Sequence, residues 1–91
     1  MAVLLVAYDL HAEQTSEDYA GFMKVIKEYP WARLSESSYA ISTTDTPETV
    51  YGRLRKYTDS NDDLIIINLR RPMYGRHRQD VINWLEEHLP Y

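Results

Sequence analysis

Met1-Ala2-Val3-Leu4-Leu5-Val6-Ala7-Tyr8-Asp9-Leu10 is a near-continuous apolar run that stops at an acid. The run Val3 to Tyr8 is too short for a helix and too apolar for a half-exposed strand. It therefore reads as a strand buried near the middle of a sheet. Asp9 falls where that strand ends, on a rigid support with an outlet to solvent. It is the first candidate functional side chain of the chain.

The elements on either side of this strand follow from spacing and punctuation. After a polar connection from Leu10 to Thr15, Thr15 or Ser16 caps a helix, with Glu17 and Asp18 suiting its positive first turn. Tyr19, Phe22, Met23 and Ile26 follow helical spacing, and Pro30 stops it, so the first helix is expected at about Ser16 to Tyr29. WARLS and SYAIS, within Trp31 to Thr43, read as two short strands with Glu36-Ser37 as the turn or bulge between them, one long bent strand being the competing reading. Thr46-Pro47-Glu48-Thr49 is a helix start with proline in the first turn, and Val50, Leu54 and Tyr57 carry that helix from Pro47 to about Thr58. Asp59 to Asp62 is a turn cluster. Leu64-Ile65-Ile66-Ile67-Asn68-Leu69 is the most strand-prone run of the chain. A third helix is expected from about Arg76 to Pro90, with Val81, Trp84, Leu85 and His88 on one stripe.

The order is strand, helix, strand, strand, helix, strand, helix. Right-handed crossovers place the first two helices on one face of the sheet. The economical architecture is an α+β, ferredoxin-like βαββαβ sandwich: a four-stranded antiparallel sheet, two helices on one face, and an added C-terminal helix. The first and third strands lie inside and the second and fourth at the edges. The isoleucine strand is then an edge, to be covered by the last helix or paired with a second chain. A homodimer is expected.

The 91 residues fit a single domain, residues 1–91, burying roughly 60–65% of the unfolded surface. The chain has no cysteine, which excludes disulfides and thiolate metal sites and is compatible with a cytoplasmic location. The opening run is far shorter than the ~20 residues of a membrane span, so no membrane association is expected from it. The net charge of −4 argues against indiscriminate binding of nucleic acid. The charge is uneven, however. Arg70, Arg71, Arg76 and Arg78 lie close together, and the other six basic residues face fourteen acids. Arginine suits bidentate phosphate contacts, and Tyr74 between these arginines offers a ring for base stacking. The competing reading is a solubilising loop paired with the abundant acids. Arg76 and Arg78 also sit at a helix start, where the dipole disfavours cations, which leans towards an anionic ligand or an acidic partner surface.

Two residues past Asp9, His11 is a candidate second ligand or proton carrier; the competing reading is an exposed loop histidine. The serines and threonines between Ser35 and Thr46 read as strand and turn formers, with no histidine nearby in sequence to activate one of them. Trp31 and Trp84 read as packing residues of core or interface. Neither a phosphate-binding glycine loop nor a paired-histidine metal motif is present.

Val3 to Leu10, the segment from Trp31 to Ser37-Ser38-Tyr39, and Asn61-Asp62-Asp63-Leu64-Ile65 together resemble the SinR-like small proteins. These are related to the VapD-like toxins and to the second CRISPR-associated protein, the dimeric partner of the spacer integrase. The resemblance spans nearly the whole chain as a pattern. It implies a ferredoxin-like fold, dimerisation and, in many members, metal-dependent cleavage of RNA or DNA. The key acid of that superfamily follows the first strand, where Asp9 stands here. In that setting Asp9 from two chains would converge on Mg²⁺ across a dimer axis, and the ion would orient a hydroxide towards a phosphodiester. Two functions are therefore expected: a dimeric module that binds nucleic acid or a protein partner without turnover, or a Mg²⁺-dependent endonuclease with Asp9 as metal ligand.

Overall fold

The computed structural model describes residues 1–13 and 15–91. Gln14, in the polar connection after the first strand, lies outside the described residues. The elements are β1 (Ala2–Asp9), α1 (Glu17–Lys27), β2 (Trp31–Ser35), β3 (Ser38–Thr43), α2 (Pro47–Arg55), β4 (Asp63–Leu69) and α3 (Gln79–His88). The sheet order is β2-β3-β1-β4, and every pairing is antiparallel. This is the ferredoxin-like arrangement with an additional C-terminal helix.

β1 is central because it has apolar side chains for both faces. Leu4, Val6 and Tyr8 point to one face and join Phe22, Val25 and Ile26 of α1 and Val50 and Leu54 of α2 in the main core. Val3, on the opposite face, joins Ala40 of β3 and Leu89 in a smaller cluster, against which Leu34, Leu69, Trp84 and Leu85 pack. A strand that feeds two cores cannot alternate polar and apolar residues, which is why its sequence does not.

Local chemistry sets the ends of the helices. Ser16 accepts from the Tyr19 backbone N–H at 3.1 Å, and Thr46 accepts from that of Thr49 at 3.1 Å. The first two helices are shorter than their apolar spacing predicts. Tyr29 N–H closes on Ile26 O at 3.2 Å, and Tyr57 and Thr58 close on Leu54 and Arg55, each at 3.0 Å. These are tight i→i+3 bonds that end the α-helix early while still satisfying its last carbonyls. Arg53 links the two helices: it donates to Tyr29 Oη at 2.6 Å and pairs with Glu28, and Tyr29 in turn donates to Asp45 at 2.9 Å. Gly21 permits the Tyr57 ring to lie against α1, since a Cβ there would stand 2.3 Å from the ring.

α3 begins at Gln79, later than expected, so Arg76 precedes the helix and Arg78 is its N-cap. The dipole argument for these two arginines is corrected accordingly. Arg76 is outside the helix, and Arg78 is neutralised by Asp80 in the first turn, with contacts of 3.1 and 2.6 Å. The helix packs on the face opposite α1 and α2, on the β2 side. It does not cover the isoleucine strand: Ile65 is 56% exposed and Ile67 44%. Among the described residues, no helix is long and apolar enough to cross a membrane.

Candidate functional site

Asp9 is exposed at the end of β1. The β1–β4 register sets it directly opposite Asp63, a second acid that sequence spacing gave no reason to pair with it. Like charges in that position repel. Asp9 also borders a shallow polar recess of about 250 Å³ shared with Tyr8, Tyr19 and Glu36. The Tyr8 hydroxyl donates to Glu36 O at 3.3 Å, and burial pushes its pKa well above the usual tyrosine range.

His11 stands at the same rim but is held by Asp62. Its Nδ1–H donates to Asp62 Oδ1 at 2.8 Å and its backbone N–H to the same oxygen at 2.9 Å. The other carboxylate oxygen accepts from Asp59 N–H at 2.8 Å. The Asp62 side chain is 3% exposed, whereas the His11 ring is 58% exposed. The Asp59 and His11 backbone donors, then the imidazole, hold Asp62 down to about 2. The Asp62 hydrogen bond raises His11, and the charges of Asp62, Asp9 and Asp63 add to that against a desolvation penalty. The pair ties the loop after β1 to the turn before β4, a contact invisible in the sequence because 51 positions separate the partners. Nδ1 is committed to Asp62, and Nε2 makes no hydrogen bond among the described residues.

Among the described residues, no group of three or more His, Asp and Glu side chains is placed to hold a metal ion. One chain thus offers Asp9 with Asp63 opposite it, a set that falls short of a self-contained Mg²⁺ site.

The arginine cluster divides by role. Arg71 is structural. It donates to Leu89 O at 3.1 Å and to Glu86 O, and pairs with the Glu86 carboxylate at 3.2 Å. Its guanidinium also lies 4.9 Å from the centre of the Tyr91 ring. It therefore satisfies the last carbonyls of α3 and ties that end to the end of β4. Arg78 is shared with Asp80. Arg70 and Arg76 are exposed and make no ion pair among the described residues, and Tyr74 is fully exposed between them.

His77, which the sequence grouped with these arginines as a phosphate contact, instead anchors this loop. Its Nδ1 accepts from Arg78 N–H at 2.8 Å, so Nε2 carries the proton that is donated to Leu34 O at 2.8 Å. The serines behave as turn formers: Ser35 and Ser38 share a 2.6 Å hydrogen bond across the bulge of the β2–β3 hairpin. No protein-family model matches the chain.

Proposed function

We propose that the protein is a dimeric binding module for nucleic acid, acting without turnover of its own. The observation that carries this reading is the loop from Arg70 to Arg78. It presents Arg70 and Arg76 without an ion pair among the described residues, with Tyr74 fully exposed between them, on a chain that is otherwise acidic. Free guanidinium groups contact phosphate without first breaking an internal ion pair, and an exposed ring stacks on a base. Asp9 and Asp63 lie at the opposite end of β1 and β4 from Arg70 and repel a polyanion towards the Arg70 end of the loop.

Dimerisation rests on β4. Its outer edge is unpaired among the described residues, and Ile65 and Ile67 are exposed beside it. In a symmetric β4–β4 pairing centred near Ile66, Asp63 of one chain lies next to Leu69 and Arg70 of the other, so opposite charges meet at both ends. That geometry bears on catalysis. Asp9 is in register with Asp63, so the two copies of Asp9 would stand ~20 Å apart along the strands, beyond the reach of one ion. A shared Mg²⁺ site instead requires the sheets to pack face to face, with Ile65, Ile67 and Asp9, which strand alternation sets on one side, brought against their symmetry mates. The nuclease reading survives only in that assembly, and the Asp9–Asp63 opposition is what favours it.

Binding is tested with labelled RNA and DNA at several salt concentrations. Arg70→Glu with Arg76→Glu abolishes binding and flattens its salt dependence if the loop is the grip. Unchanged affinity overturns it, and if wild type binds no nucleic acid, a protein partner becomes the reading to pursue. Metal-dependent cleavage by wild type that is lost in Asp9→Ala overturns the absence of turnover.

A further inference from the structure

His11 and His77 each pin a loop to a distant part of the chain, with opposite responses to a proton. The His11 ring donates to a carboxylate, so a positive charge on it strengthens the contact. The His77 ring meets backbone groups only. The Leu34 carbonyl can only accept and the Arg78 N–H can only donate. The two contacts, each 2.8 Å, therefore require a neutral ring that carries its proton on Nε2 and keeps Nδ1 bare. A second proton, on Nδ1, points straight at the Arg78 N–H. The charged ring cannot keep both contacts where it stands.

Little else holds this loop. Arg71, at one end, is bound to the end of α3, and α3 itself begins at Gln79. Among the described residues, no backbone–backbone hydrogen bond involves residues 72–77. Met73 packs half-buried against the smaller core, and Pro72, Tyr74, Gly75 and Arg76 are exposed. The His77 bond to Leu34 O, across 43 positions, is what ties this stretch to β2.

The charged groups around the ring come from three elements. Arg33 of β2 and Glu36 of the following turn line a shallow recess with His77 and Arg78. Arg76 precedes the ring in the loop, and Asp80 of α3 is engaged with Arg78. Among the described residues no carboxylate is hydrogen-bonded to the ring, so a proton added there breaks a hydrogen bond without forming an ion pair.

We propose that His77 is a pH-sensitive latch. Neutral, it clips the Arg70–Arg78 loop to β2. Protonated, it releases the loop and joins Arg70 and Arg76 as a third cation for phosphate. The clip is thus present at high pH and is lost as pH falls through the titration of the ring. Release stands on the hydrogen-bond geometry alone; the gain in phosphate binding rests on the nucleic-acid reading of the loop. Under that reading, polyanion binding and proton uptake favour each other, because both stabilise the released state.

Release is tested without ligand, by NMR from about pH 8 to about pH 5, the span in which histidine changes charge. At the upper end the His77 ring is expected in its Nε2–H form, with residues 73–77 ordered. At the lower end the backbone order parameters of these residues are expected to fall from about 0.85 towards 0.6 or less. His77→Gln, whose amide donates to Leu34 O but does not titrate, is expected to keep the loop ordered throughout, and His77→Ala to leave it mobile throughout. An Nδ1–H ring at high pH, or a wild-type loop equally ordered at both ends, overturns the latch. So does loosening spread equally over the loop after β1, which marks general acid destabilisation.

Coupling to binding is measured with a labelled oligouridylate of about twelve nucleotides. Wild-type affinity is expected to rise about threefold or more between the two ends of the pH range, and that of His77→Gln to stay level. An equal rise in both overturns the part given to His77 in binding. If wild type binds at neither pH, the nucleic-acid reading falls, and the mobility of the loop alone decides the latch.

Discussion

Along β2, the Leu34 carbonyl accepts from His77, and α3 lies beside the strand with Val81 and Leu89 buried. Along β4, at the other edge of the same sheet, Ile65 and Ile67 stay exposed and the strand interior carries neither lysine nor proline. Natural sheets usually blunt a bare edge with charge, proline or a covering element. Here one edge is finished inside the chain by the residues that follow β4, and the other is left without any such device. An added C-terminal helix can lie against only one side of the sheet. Arg71, anchored to the end of α3, holds that end at the terminus of β4 while the body of the helix crosses to β2.

The contrast between the two edges can be broken from either side. Leu89→Ala removes a buried anchor of α3 and is expected to cost about 2–4 kcal/mol in urea unfolding, whereas Ile67→Ala at low protein concentration costs less than about 1 kcal/mol. Equal losses would mean that the β4 edge is as well packed as the β2 side. Arg71→Ala is expected next in size, at about 1.5–3 kcal/mol, because it leaves the α3 carbonyls and Glu86 without their partner. The loss should fall in α3 first, seen as faster amide exchange in that helix. Ile67→Lys is expected to abolish the concentration dependence of sedimentation while leaving the far-ultraviolet spectrum unchanged. A wild-type protein that is monomeric at every concentration removes the role assigned to β4.

The rim around His11 supplies smaller effects. Asp62 is held down to about 2 from its ordinary 3.8, so its contribution to stability is present above the ordinary value and is lost as pH falls towards 2. His11 is raised above 6.5, so its contribution is present below that value and is lost as pH rises through the folded-state pKa. Asp62→Asn is expected to flatten the acid limb of the unfolding midpoint against pH and to lower the His11 titration seen by NMR. An unmoved His11 titration would show that the pair does not form in solution. The smallest effect is Asp9→Asn, expected to raise stability by about 0.2–0.5 kcal/mol through relief of the opposition to Asp63. Destabilisation would indicate that Asp9 has a favourable partner.

The central placement of β1, the cap at Thr46, and the strand order could all be read from the sequence, because each depends on residues close together in the chain or on the general rules of strand crossover. The nine-residue arginine-rich stretch was equally plain as a concentration of charge. Its division was not: Arg71 is spent on the carbonyls of Glu86 and Leu89 and Arg78 on Asp80, while Arg70 and Arg76 make no ion pair among the described residues. In the same way, the residues opposite Asp9 and beneath His11 come from distant parts of the chain. Hydrophobic period and turn chemistry are local properties of a polypeptide, and they settled which elements form and how they are layered. Which charges are neutralised and which edge is covered depend on register and on the path of α3, and those were decided only when the whole sheet was assembled.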